Sequence, residues 1–142
     1  MATTLAFLAT FCCAIFAGAA IYINAVEHPA RMTTGVRAAL AEWAPSYRRA
    51  TVMQASLAVL GFVFAISGWL MGAGPRVAVA GVLLVLVAPF TLIVIMPTNK
   101  RLLALDASKD LAEAEVLLAR WNRLHLVRNM LATVALLLFL LP

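Results

Sequence analysis

Charge is scarce in this chain. Charged residues make up 12% of its 142 positions and hydrophobic residues 65%. A soluble domain carries about 25% charged and about 45–50% apolar residues, so an ordinary soluble globule is excluded and an integral membrane protein is expected. Cysteine is almost absent. Cys12 and Cys13 are adjacent, so on a helix they point about 100° apart. No CxxC or other metal spacing exists, which excludes a disulfide framework and a thiolate centre; both read as small packing residues. Strand-like alternation is missing, and only helices or closed barrels satisfy the backbone in lipid. No acidic residue falls mid-membrane, which argues against a carboxylate relay for transport. No Lys or Arg precedes the first apolar run. Signal peptides start with charge, so Met1 to Ala20 reads as a retained helix, although Ala17-Gly18-Ala19 resembles a cleavage site.

What the chain does have is four apolar segments, at about 3–26, 50–71, 76–96 and 121–141, each near the roughly 20 residues that span a bilayer. The expected fold is all-α: a four-helix membrane bundle over residues 1–142, as a single domain without internal repeats. Gly72-Ala73-Gly74-Pro75 makes a tight turn, whereas residues 27–49 and 97–120 read as long polar loops on the opposite side. That side holds ten of the eleven basic residues and the other only Arg76. The asymmetry marks the loops as cytoplasmic and both termini as outside, in the cytoplasmic (inner) membrane. All six acidic residues share the basic side, so the net charge of +5 reflects topology rather than a nucleic-acid partner.

The end of the chain, "RWNRLHLVRNMLATVALLLFLLP", raises a conflict. Its purely apolar part, Met130 to Leu141, rises only about 18 Å against a core of about 30 Å. The helix must borrow from the polar stretch before it, and is expected to run from about 109 to 141, with Asp110 and Glu113 resembling a capping box. Trp121, His125 and Arg128 then share one face at i, i+4, i+7. The other helices bring polar groups to the same end. Asn24 and His28 share a face near the end of helix one, where Pro29 favours an end or a bend. Tyr47, Thr51 and Gln54 share a face on helix two, continued by the small-residue stripe Ala58, Gly61, Ala65 and Gly68. Asn99 and Arg101 follow Pro97. Ionisable groups at membrane depth face the bundle interior or a wet cavity, so this end is the expected site. Arg31, Arg49 and Arg123 read as cations snorkelling to headgroups. Arg128 is expected in the interior, binding a substrate oxygen or, in a purely structural role, pairing with Glu27.

The motifs "VEHPARM", "W-A-P-S-Y-R-R-A", "MPTNKRLL" and "RWNRLHLVRNML", in that order among four apolar helices, resemble the anthrone oxygenase family. The resemblance covers nearly the whole chain. It implies a four-helix membrane protein that oxidises an anthrone-like lipophilic aromatic with dioxygen and needs no added cofactor. It points to His28, Asn99, Trp121, His125 and Arg128. The residue types suit the reaction. A histidine can take the acidic C–H proton, Arg128 or Asn99 can hold the oxyanion, and Trp121 can stack on a flat ring. His28, His125, Arg128 and Asn99 are therefore the expected catalytic residues, and Trp121, Gln54, Asn24 and Tyr47 the expected substrate contacts.

Two other readings stay open. His28 and His125 could ligate haem or copper, or the chain could be a non-catalytic small membrane binding subunit. Partners would be membrane lipid, a lipophilic small molecule, and a second copy in a homo-oligomer.

Overall fold

The computed structural model describes residues 1–141. Four long helices fill them: α1 (Ala2–Thr33), α2 (Val36–Ala73), α3 (Pro75–Ala104) and α4 (Leu111–Leu140). All four are long and apolar enough to cross a membrane, and no strand occurs among the described residues. α1 packs on α2 and α4, and α3 closes the ring against the same two. Large apolar side chains such as Phe7, Val52, Leu92, Ile93 and Leu137 are exposed on the outside, where lipid replaces water as solvent. The chain is thus a membrane protein built as a four-helix bundle.

The two stretches expected as long loops are mostly helix. α1 continues to Thr33 and α2 already starts at Val36, so the first connection shrinks to Thr34-Gly35. Gly35 has a φ of 88°, a left-handed conformation that glycine adopts without steric cost. The charges that suggested a loop sit on the outer face of this helical extension, while Ala39, Leu40 and Trp43 turn inward. Pro45 lies inside the helix. On the other connection α3 runs to Ala104, leaving residues 105–110 as the loop. Hydrogen bonds from the Ser108 hydroxyl and backbone N–H hold the Asp106 carboxyl below the usual carboxylate range. The expected capping box does not form. Asp110 precedes the helix but its Oδ2 accepts from the Asp106 N–H at 3.0 Å, and Glu113 accepts from Arg101 instead, at 2.5 and 2.7 Å.

Prolines shape the helices. A π turn over Ile23–Glu27 ends two residues before Pro29, and another over Thr91–Ile95 ends two residues before Pro97. Proline lacks an N–H and its ring clashes with the carbonyl four residues back. Widening the preceding turn relieves both problems, and such bulges recur at functional sites. Of the end or bend expected at His28, the end does not occur: the helix widens just before His28 and continues.

The half of the bundle away from these prolines is packed from small residues. Ala9, Cys13, Phe16, Ala17, Ala58, Ala65, Leu84, Ala132 and Ala135 form one core. A Cβ on Gly61 would lie 2.6 Å from Leu84 Cδ2 and 3.3 Å from Cys12 Cβ, so glycine is what lets three helices meet there. The expected stripe Ala58, Gly61, Ala65 and Gly68 is buried.

Candidate functional site

α4 carries the site. Its buried stripe begins with Ala114 and Leu118, turns polar at Trp121, His125 and Asn129, and reverts to Ala132, Ala135 and Phe139. His125 is 2% exposed. Its Nδ1 lies 3.1 Å from Asn24 Oδ1. The orientation of that amide is fixed by a backbone group, because Asn24 Nδ2 donates to the Asn122 carbonyl at 2.8 Å. Asn24 Oδ1 also accepts from Asn129 Nδ2 at 2.6 Å. An amide oxygen cannot donate, so Nδ1 of a neutral His125 carries the proton and Nε2 is left as an acceptor. Asn24 therefore orients His125 and ties α1 to α4.

Nε2 faces Arg128, whose Nη1 is 3.4 Å away. Arg128 Nη2 donates to Gln54 Oε1 at 2.8 Å, and the guanidinium lies 5.6 Å from the centroid of the Phe16 ring, a cation–π arrangement. The expected structural pair with Glu27 is not formed. Glu27 accepts from Ser46 at 2.7 Å and pairs with Arg31, leaving Arg128 with no carboxylate within 4.0 Å among the described residues. Arg31, expected at the headgroups, is buried and also pairs with Glu42. A carboxylate four residues back on its own helix captures it. Arg49 and Arg123 are exposed, as snorkelling cations would be.

Aromatic rings wall the site. Trp121 meets His125 at 4.7 Å and His28 at 5.7 Å between centroids, which bounds the imidazole separation to about 10 Å. Trp43 meets Trp121 edge-on at 5.9 Å and stacks on Tyr47 at 5.0 Å. The Trp121 ring is thus already occupied, and it serves as a wall rather than an open stacking platform. His28 is buried, with no hydrogen-bond partner for Nδ1 among the described residues.

The donors do not fit a haem or copper bound by His28 and His125. His125 Nδ1 is engaged by Asn24, its Nε2 faces a guanidinium that would repel a metal cation, and no three His, Cys, Asp or Glu side chains cluster among the described residues.

Two adjoining cavities lie here. A mostly enclosed one of about 20 Å³ is lined by Trp43, Gln54, Asn99, Trp121, His125 and Arg128, among others. A wider one of about 160 Å³ opens between α2 and α3, with Phe16, Ala58, Val87, Leu92 and Met96 in its lining. Tyr47, Thr51, Gln54 and Arg128 belong to both. Six of the expected site residues, Asn99, Trp121, His125, Arg128, Gln54 and Tyr47, therefore line the smaller cavity, whereas His28 and Asn24 do not. A groove of about 640 Å³ between α1 and α4 is larger, but it reaches Asn24, Asn122 and Asn129 without touching His125 or Arg128. Sequence reasoning passed over Trp43 and Asn129. Trp43 lay in a stretch taken for loop, although its i, i+4 spacing to Tyr47 is a helical signal.

Residues 43–138 match the model of the anthrone oxygenase family. The chain belongs to the anthrone oxygenase family. Anthrone oxygenase dmxR16 of Cryptosporiopsis sp. (strain 8999) is 30% identical over 129 residues, covering 86% of this chain and 75% of the relative. No solved structure matches the chain. The family match begins at Trp43, the residue that stacks on Tyr47, and takes in both cavities' α2, α3 and α4 walls. Membership points to an oxygenase-like function.

Proposed function

We propose that the chain is a membrane oxygenase that converts an enolisable, anthrone-like aromatic to a quinone with dioxygen. The observation that carries this reading is the pairing of His125 Nε2, in the small cavity, with Nη1 of Arg128, a residue that lines both cavities, at 3.4 Å. The substrate enters laterally from lipid between α2 and α3. At about 160 Å³ the slot is below the few hundred Å³ of a fully enclosing pocket, so one ring edge stays in the bilayer. The ketone oxygen meets Arg128 and Gln54. His125 Nε2 takes a proton from the carbon opposite the ketone, and Arg128 stabilises the enolate oxygen. The enolate gives one electron to dioxygen, and the two radicals combine to form a C–O bond. Loss of the second C–H proton and cleavage of O–O then release water and the quinone. One substrate and one dioxygen become one quinone and one water.

The chain works as a single four-helix domain in the cytoplasmic membrane, with the loops after α1 and α3 inside and both termini outside. A Cys at Ser108 labelled from outside intact cells would contradict that orientation. The chemistry is tested in lipid nanodiscs by following quinone absorbance and oxygen uptake with an anthrone. The expected result is equal consumption of anthrone and dioxygen at a rate that collapses in His125→Leu. A rate in the unsubstituted protein no greater than in His125→Leu would sink the proposal.

A further inference from the structure

The small cavity beside His125 has an excess of donors. Trp43 Nε1, Gln54 Nε2, Asn99 Nδ2 and Arg128 Nε are all buried without a hydrogen-bond partner among the described residues, against a single buried acceptor without a partner on the same lining, Asn99 Oδ1. Trp43 is 0%, Gln54 1% and Asn99 1% exposed. Unpaired buried donors are costly, so four on one small space call for an occupant. At about 20 Å³ the space holds roughly one water. A water accepts only two hydrogen bonds, so it would leave two of the four donors unpaired. An anion accepts from all sides and brings no protons. Of the charged groups on the lining, Glu27 and Arg31 are paired with each other, whereas Arg128 has no carboxylate within 4.0 Å among the described residues.

We propose that this cavity is a binding site for a small inorganic anion of halide size. Resting on the oxygenase reading, its working occupant is singly reduced dioxygen, the anion formed when the substrate enolate gives up one electron. The site holds it against His125 while the substrate radical sits in the adjoining slot.

The probe is bromide, a quencher of indole fluorescence. Trp43 and Trp121 line the cavity, and Trp69, at 44% exposure, lies outside it. In Trp69→Phe protein, bromide should quench saturably and chloride should reverse the effect. Asn99→Leu should weaken the apparent affinity by about tenfold or more. Quenching that rises linearly with bromide and ignores chloride in Trp69→Phe protein would overturn the site and leave an adventitious ion or a single water; this arm needs no cavity variant to fold. The readout also needs no turnover, so saturable bromide binding without quinone formation keeps the anion site and removes the oxygenase reading. Turnover without bromide binding does the reverse. If both hold, chloride should raise the KM for dioxygen and leave kcat unchanged, and a chloride-insensitive KM would separate the site from oxygen.

Discussion

The two halves of this bundle use the same four helices for different ends. Around Gly61 the helices meet through Ala, Gly and Cys, with Gly61 packed against Leu84 and Cys12. The buried unpaired side-chain atoms among the described residues all belong to the other half, on residues from His28 to Asn129. There Ile23, Trp43, Ile95, Leu118 and Trp121 replace the small residues, and two π turns before Pro29 and Pro97 widen the helices. Small residues bring backbones together and leave no room. Bulky rings and widened turns hold them apart and leave space lined by unsatisfied groups. The first half supplies rigidity, and the second retains strain and polarity that packing alone would remove.

That contrast can be broken at named positions. The largest effect is expected from His125→Leu, which removes the proposed base and should cost about 10²–10⁴ in kcat, with a melting temperature near that of the parent. Arg128→Met keeps the length and removes the charge. It should cost about 10²–10³ in kcat and, because Glu27 is held by Arg31 and Ser46, should leave expression intact. A large fall in expression would return Arg128 to a structural role. Gly61→Leu attacks the other half. Overpacking should destabilise by about 1–3 kcal/mol, read as a lower melting temperature, while folded protein keeps its turnover. Smallest is Arg101→Gln. Its pair with Glu113 is exposed on both sides, and such pairs contribute little, so neither melting nor turnover should move measurably.

Much of this architecture is legible in the sequence, and the exceptions have physical causes. Hydropathy locates four spans, and the polar residues at one end of each mark the candidate site, because charge at membrane depth is costly wherever it occurs. The length of α2 is not legible, since Arg37, Glu42, Arg48 and Arg49 mimic a loop although they are exposed residues of a helix. Hiding that helix also hid Trp43. Partner choice is a matter of rotamers and geometry. Glu27 could reach Arg31 one turn away or Arg128 across the bundle, and the local pair forms. Asn24 was read as a substrate contact from its face. Only the hydrogen-bond network reveals that it fixes the proton on His125.

The most direct test is a structure of the protein in lipid with its quinone product bound. The quinone should lie between α2 and α3 against Phe16, Ala58 and Met96, with one oxygen within hydrogen-bond distance of Arg128 and the opposite ring carbon facing His125 Nε2. A quinone seated instead in the larger groove between α1 and α4, beside Leu126 and Met130 and out of reach of His125 and Arg128, would contradict the assignment of the active half.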